Sequence, residues 1–170
     1  MISGAAIGSA AISGTAIAAD EVVFHYRSFE RRVAVADLAD LVETGETTRQ
    51  LDYYLARTNQ APATMQTHLT RTVTLDPLLL DRGLNSPLGD LVLDKLGTMF
   101  HTRSRQANRQ ALRAALVLSA SDDGQVHVLE LMQNYPTPEL HVDGDRLEAV
   151  YEQLVAFQAL HEQWGWILGQ

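Results

Sequence analysis

The stretch TLDPLLLDRGLNSPLGDLVLDKLGTMFHT, residues 74–102, is the most regularly patterned part of this sequence. It contains two apolar runs, residues 78–80 and 88–96, separated by the polar joint Asn85-Ser86-Pro87. Asp76-Pro77 and Ser86-Pro87 each place an N-cap residue before a proline at the first helical position, where the missing N–H costs nothing. The stretch therefore predicts two helices that meet at the joint.

The joint itself has two interpretations, an active-site loop that presents Ser86 or a corner between two packed helices. No His or Glu lies within the joint to activate Ser86 as a nucleophile. The apolar residues after it have the spacing of one buried helical stripe, formed by Leu88, Leu91, Val92, Leu96 and Met99. Each polar residue of the joint then has a structural role, so we expect a helix corner.

The rest of the chain shows strand signals at its start and mainly helical signals afterwards. Val22–Tyr26 and Arg32–Val35 are rich in β-branched and aromatic residues and predict a hairpin. Further helices are predicted from residue 36 to Gly45, after Thr47-Thr48, after Ala61-Pro62, over Thr102–Leu118, over Val126–Met132 and after residue 145, with a third short strand at Leu140–Val142. The expected fold is mainly α, a single-domain helical bundle of about six or seven helices with a small two- or three-stranded antiparallel sheet.

The composition limits the classes of function. A chain of 170 residues predicts one domain, and its net charge of −8 argues against nucleic acid as a partner, because such interfaces need clustered cations. The absence of cysteine excludes disulfides, thiolate metal sites and a cysteine nucleophile. We divide the chain into a leader (residues 1–19), a helical domain (residues 20–158) and a C-terminal tail (residues 159–170).

Residues 1–19 carry no charge and end in Ala16-Ile17-Ala18, a small-x-small pattern typical of signal-peptide cleavage sites. The usual basic n-region is missing, and the alternatives are a buried apolar helix or a disordered Gly/Ser-rich tail. The run is shorter and less apolar than the ~20 residues of a bilayer-spanning helix, so no permanent membrane span is expected. We expect cleavage after Ala18 and export to the periplasm, the thylakoid lumen or the extracellular space.

No short motif identifies a metal, cofactor or phosphate site. The six histidines, at positions 25, 68, 101, 127, 141 and 161, include no pair spaced i, i+4 and no His-Glu-x-x-His motif. A metal site built from His25, His127 and His141 is conceivable if their strands pair, but lone histidines are more often ordinary surface or core residues. Asp122-Asp123 is better explained as a turn than as a calcium loop. We therefore predict no metal and no cofactor.

Three arginines form the most suggestive surface pattern. Arg105, Arg109 and Arg113 recur every four residues and would form one stripe along the helix predicted over residues 102–118. Guanidinium groups suit carboxylates and phosphates, so the stripe either pairs with the protein's own acids or docks an acidic partner or anionic lipid headgroups. Trp164 and Trp166 either close the core or form an exposed anchor for a partner. These five residues are the candidate partner-binding residues, and no catalytic residue is predicted.

The order of the segments is similar to that of a known family. VADLADLVETGE is followed by LNSPLGDLVLDKLGTMFHT, by NRQALRAALVLSASDDGQVHVLELMQNYPTPELHVDG and by a closing helix. Over roughly residues 20–154, this series resembles the cyanobacterial domain of unknown function found at the N-terminus of predicted secreted alpha/beta-hydrolases. The resemblance implies a cyanobacterial exported protein and transfers no catalytic residue, because no function is established for that domain.

The resemblance leaves two hypotheses of different classes. In such hydrolases a catalytic domain would follow this region, and a nucleophile elbow of the form Gly-x-Ser-x-Gly would carry the reaction. No serine of this sequence has those flanking glycines. We therefore expect a non-catalytic exported accessory or protein-interaction domain, associated with an alpha/beta-hydrolase. The alternative is a part of an esterase- or lipase-like hydrolase whose catalytic domain is absent from these residues.

Overall fold

The computed structural model describes residues 18–26 and 28–143, together with residues 152, 155, 156, 158–160 and 163, which are helical. The first two of these ranges contain seven helices and six strands, which confirms the mainly α prediction. In chain order the elements are β1 (Glu21–Tyr26), β2 (Phe29–Ala34), α1 (Val35–Thr44), α2 (Arg49–Arg57), α3 (Pro62–Thr70), β3 (Thr72–Thr74), α4 (Pro77–Leu84), α5 (Pro87–Gly97), β4 (Phe100–His101), α6 (Asn108–Ala120), β5 (Gln125–His127), α7 (Val128–Gln133) and β6 (Glu139–Asp143).

The strands form two sheets, one of four strands in the order β2-β1-β6-β4 and one that pairs β3 with β5. The predicted hairpin of β1 and β2 and the predicted third strand, now β6, are present. The expected small sheet is therefore confirmed, but it has four strands rather than two or three, and it is not wholly antiparallel because β1 pairs with β6 in parallel. A parallel pair needs a long crossover, and residues 35–138 supply it here, so no local turn signal announces the pairing.

The joint between α4 and α5 is a helix corner. The carboxylate of Asp76 accepts hydrogen bonds from the amides of Leu78 and Leu79, at 3.0 and 2.9 Å. The hydroxyl of Ser86 accepts a hydrogen bond from the Gly89 amide at 3.1 Å and donates one to a carbonyl at the end of α4 at 2.6 Å. Ser86 is therefore the N-cap of α5, and it also ties α5 to the preceding helix.

The buried face of α5 differs from the predicted stripe. Leu96 and Met99 are buried as expected, but the side chains of Leu88 and Leu91 are 39% and 65% exposed. The buried residues of the helix are instead Gly89, Leu93, Leu96 and Gly97. A Cβ atom added at Gly89 would lie within 2.7 Å of the backbone of α4. Because α4 approaches α5 closely at Gly89, the side of α5 that carries this glycine is buried. Leu88 and Leu91 lie towards solvent instead.

Helix α6 begins six residues later than predicted. Thr102 follows strand β4, and its amide and hydroxyl both donate to the side-chain oxygen of Asn108, at 3.0 Å each. Arg105 and Ala107 have positive φ angles of 56° and 55°, which an α-helix does not allow. The segment 102–107 is therefore a loop pinned by the Thr102–Asn108 contact. Of the apolar side predicted for this helix, Ala111, Leu112, Ala115 and Leu116 are buried, whereas Ala107 and Leu118 are exposed.

The hydrophobic core lies between the inner face of the four-stranded sheet and the helices. It joins Val22 and Val33 of the hairpin, Leu140 and Val142 of β6, and the buried leucines of α1, α4, α5 and α6. No helix among the described residues is long and apolar enough to span a membrane. The last predicted helix, whose apolar side was assigned to Leu147, Val150, Tyr151, Leu154 and Phe157, falls on positions outside the described residues.

Candidate functional site

The most distinctive polar feature is a cluster of three histidines on neighbouring strands, His25 of β1, His141 of β6 and His101 of β4. The β4–β6 register places His101 directly opposite His141. In the β1–β6 register the partner of His141 is Val23, so His25 is two residues further along on the same face of the sheet. The pairing of three strands from distant parts of the chain therefore creates the cluster.

The imidazole rings of His25 and His141 meet edge to edge. Nε2 of His25 lies 2.8 Å from Nδ1 of His141, while the two ring centroids are 5.1 Å apart and the ring planes differ by 17°. The nitrogens are much closer together than the centroids, so the two nitrogens lie between the rings of His25 and His141 and point at one another. The His101 centroid is 5.3 Å from that of His141 and 5.9 Å from that of His25. The His25–His141 contact is therefore an N–H···N hydrogen bond that holds one proton between two rings.

One further nitrogen of the cluster is fixed by a hydrogen bond, and another is buried without a hydrogen-bond partner among the described residues. Nδ1 of His101 lies 2.9 Å from the Thr102 carbonyl oxygen, which can only accept, so this nitrogen carries a proton. Nε2 of His141 is buried and lies 3.6 Å from the carboxylate of Glu139. Glu139 also pairs with Arg32 at 2.6 Å, and this hydrogen bond lowers the pKa of the Glu139 carboxyl. The carboxylate therefore stays charged beside His141 while most of its charge is matched by an arginine.

The surroundings of His101 and His141 favour the neutral form of these two rings. The side chains of His101 and His141 are nearly inaccessible to solvent, and burial is the main reason that the pKa of each is lowered from its usual value. A charge on His25 lowers both pKa values further, and a charge on His141 also lowers the pKa of His101. Arg105 acts on His101 in the same direction, whereas Glu139 acts in the opposite direction on His141. Taking up protons here is therefore costly, and more so for each further proton.

The metal site conceived from His25, His127 and His141 is not assembled. His127 lies at the end of β5, in the other sheet, where its Nδ1 accepts a hydrogen bond from the Glu130 amide at 3.1 Å and caps α7. No group of three or more His, Cys, Asp or Glu side chains within the described residues is placed to hold a metal ion. In the histidine cluster, the nitrogens of His25 and His141 face each other too closely to admit an ion between them.

The structure places only two of the three candidate arginines on α6, and both contact acids of α5. Arg109 forms ion pairs with Asp90 at 2.9 Å and with Asp94 at 2.5 Å. Arg113 donates to the Leu84 carbonyl at 2.9 Å and pairs with Asp90 at 3.2 Å. Arg105 lies in the loop before the helix and is exposed. The arrangement favours internal pairing for Arg109 and Arg113, and the docking role of the arginines stays a prediction.

Exposed apolar side chains gather on the same helices. Leu78 of α4, Leu91 of α5 and Leu118 of α6 are 72%, 65% and 52% exposed. Between α4 and α6 lies a shallow groove of about 390 Å³, lined among others by Asp81, Val117 and Leu118. Leu78 is one helical turn from Asp81 and lies on the same side of α4. Trp164 and Trp166, the other candidate anchors, are outside the described residues.

Residues 18–143 match the family described as alpha/beta hydrolase of unknown function (DUF1400). The chain belongs to this family. The match covers every strand and helix named above, including all three residues of the histidine cluster. No curated protein and no solved structure matches the chain.

Sequence reasoning identified the histidine cluster only in part. The sequence predicts that the strands of His25 and His141 could pair, but it names His127 as the third residue. His101 was missed because strand β4 has two residues, and the segment after it was assigned to a helix. The available signal was the Phe100-His101-Thr102 triplet, in which an aromatic and a β-branched residue flank the histidine, but three residues are too few to define a strand from sequence.

Proposed function

We propose that this chain is a non-catalytic accessory or protein-interaction domain that acts outside the cytoplasm, and that its partner is an alpha/beta-hydrolase domain. Two facts together carry the proposal. The chain belongs to a family labelled as a hydrolase, yet its sequence has no Gly-x-Ser-x-Gly nucleophile elbow. The mainly helical fold of residues 18–143 supports it, because alpha/beta-hydrolase chemistry is built on a sheet in which strands and helices alternate.

A contact surface for such a partner is available on the helices α4, α5 and α6. Leu78, Leu91 and Leu118 are exposed apolar residues of these helices, and Arg109 and Arg113 of α6 form ion pairs with Asp90 of α5. Apolar side chains surrounded by charged residues are typical of protein–protein contact surfaces. Arg105 is exposed in the loop before α6 and remains a candidate partner-binding residue. Trp164 and Trp166 remain candidate anchors.

The alternative function is a part of an esterase- or lipase-like alpha/beta-hydrolase whose catalytic domain lies outside these 170 residues. The family description favours it. The reading frame next to this gene distinguishes the two, because a hydrolase domain encoded directly downstream and in frame would favour a divided or truncated enzyme.

The first test is catalysis by the isolated chain. We expect no turnover of short-chain nitrophenyl esters, because the sequence has no nucleophile elbow. Turnover that disappears in a single Ser→Ala variant would overturn the non-catalytic proposal.

The second test is binding to a purified alpha/beta-hydrolase domain identified by pull-down and mass spectrometry. The double variant Leu78→Gln, Leu91→Gln should weaken binding at least tenfold in a calorimetric titration, because it removes the two most exposed leucines. Tyr53→Gln is the matched control, since Tyr53 is 54% exposed on α2, outside the proposed surface. Equal affinities of all three proteins would exclude this surface.

Export has its own test. Ala19 is buried in the core, and the Asp20 amide donates to the Pro138 carbonyl at 3.0 Å, so the two residues that follow the predicted cleavage point are packed into the fold. Mass spectrometry of the native protein should find an N-terminus near Ala19 or Asp20. Recovery of intact residues 1–19, with the gene start confirmed, would contradict export by a cleaved signal peptide.

A further inference from the structure

We propose that His25, His101 and His141 form a proton-sensitive junction, which holds strands β1, β6 and β4 together while the rings are neutral and loosens when the cluster takes up more than one proton. The proposal concerns the sheet and does not depend on the proposed partner.

The contact between His25 and His141 sets the limit of one proton. An N–H···N hydrogen bond needs one donor and one acceptor. With one added proton, an imidazolium can still donate to the neutral ring opposite. With two, both nitrogens carry hydrogens that face each other across 2.8 Å, and the bond cannot persist. A second proton on this pair must therefore separate the two rings, which are attached to adjacent strands.

His101 extends this effect to the third strand. Its centroid lies within 6 Å of both other centroids, at 5.3 and 5.9 Å, so a charge on any ring is felt by all three. Its Nδ1 is already committed to the Thr102 carbonyl, and an added proton would reside on Nε2. Because little solvent reaches His101 or His141, water does not screen the repulsion effectively.

The charged groups around the histidine cluster only partly offset this repulsion. From β6, Glu139 faces Nε2 of His141 at 3.6 Å, but it is shared with Arg32 of β2 at 2.6 Å and Arg103 at 3.8 Å. Among the described residues, the other charges near the rings are Glu30 of β2, Arg105 of the loop before α6, and Asp143, which lies opposite His25 in the β1–β6 register. These three carboxylates, Glu139 included, are offset by three arginines, so they leave little net negative charge to balance more than one imidazolium.

The junction can be tested by amide hydrogen exchange at several pH values. The Asp143 amide donates to the Met99 carbonyl at 3.0 Å and reports on the junction of β6 with the segment before β4. Its protection factor should fall about tenfold per pH unit for each proton that opening takes up, as the pH is lowered from 7 to 5. The Leu75 amide, which donates to Gly124 at 2.7 Å beside the other sheet, is the internal control and should remain protected.

The matched variant is His101→Asn, whose side-chain amide can replace the donor to Thr102 but does not titrate. Its Asp143 protection should depend less on pH than that of the wild type, whereas His68→Gln on α3 should behave like the wild type. If His101→Asn is unfolded at pH 8 by circular dichroism, His25→Phe takes its place with the same expectation.

Three results would overturn the proposal. The first is an equal pH dependence of Asp143 protection in the wild type and the variant. The second is a loss of protection at Leu75 that parallels the loss at Asp143. The third is stoichiometric Zn²⁺ binding by the wild type that is lost in the variant. The last result would identify the histidine cluster as a metal site.

Discussion

Two glycines of the same helix, Gly89 and Gly97, should respond in opposite directions to replacement by alanine. A Cβ atom at Gly89 would lie 2.6 Å from Cα and 2.7 Å from the carbonyl carbon of Leu84, and these are backbone atoms of α4 that cannot rotate away. At Gly97 the nearest atom, Cβ of Asn108, would be 3.6 Å from the new methyl group, which is an ordinary van der Waals contact.

The magnitudes follow from these contacts. Overpacking costs about 1–3 kcal/mol and occasionally more, and the rigid backbone places Gly89→Ala at the upper end of that range. Alanine recovers roughly 0.5–1 kcal/mol of helix stability relative to glycine, so the net loss for Gly89→Ala should be about 2 kcal/mol or more. For Gly97→Ala only the gain remains. In a protein of this size, each kcal/mol moves the melting temperature by about 2–4 °C.

Thermal melting followed by circular dichroism measures both variants against the wild type. Gly89→Ala should lower the melting temperature by at least about 4–8 °C, and Gly97→Ala should raise it slightly. A Gly89→Ala variant as stable as the wild type would refute the close α4–α5 approach. An increase in both variants would show that helix propensity, and not the corner, determines the response.

Three further predictions concern single side chains. Ser86→Ala should lower the free energy of unfolding in urea by about 0.5–2 kcal/mol, because it removes the N-cap of α5. Asn85→Ala, at an exposed position, should lower it little. The reverse order would exclude Ser86 as the cap. Arg113→Gln should lower the free energy of unfolding by about 1–2 kcal/mol, because the charge-assisted hydrogen bonds of Arg113 to Leu84 and Asp90 are partly buried. Arg105→Gln should change this free energy little. Equal effects of the two variants would contradict the internal role of Arg113. Burial lowers the pKa of His127, so its contribution to stability should be complete above about pH 6.5, the usual histidine value, and be lost as the pH falls below it. His127→Asn, which keeps a cap acceptor, should reduce the difference between unfolding midpoints at pH 7.5 and 5.5, and an unchanged difference would exclude this histidine as a source of acid sensitivity.

Local signals in the sequence were sufficient for the elements of the α4–α5 corner and of the β1–β2 hairpin. Asp76 and Ser86 act through hydrogen bonds to residues two or three positions away, so their roles are visible in sequence. The face of α5 was not predictable in the same way. Leucines at positions 88 and 91 have the correct period, but the close approach of α4 at Gly89 decides which side is buried. Tertiary packing overrides the period wherever backbones meet without side chains between them.

The histidine cluster was only partly predictable because its members are brought together by pairings between distant strands. His25 and His141 are 116 residues apart, and nothing near either one indicates the partner. His101 is assigned to a strand only because β6 lies beside it. The predicted arginine stripe failed at its first member for a related reason, since the contact between Thr102 and Asn108 holds residues 102–107 out of the helix.

The parallel pairing of β1 with β6 also fixes the order in which the chain can fold. Strand β1 can pair with β2 as soon as both have left the ribosome, but its other edge stays unpaired until residues 139–143 are made. Val22 and Val23, both completely buried in the native state, lie on that waiting strand. An open edge of this kind can pair with another chain, and long-range closure is slow. Strand β6, the last strand among the described residues, therefore closes the edge of β1 that leaves the nascent chain prone to aggregation.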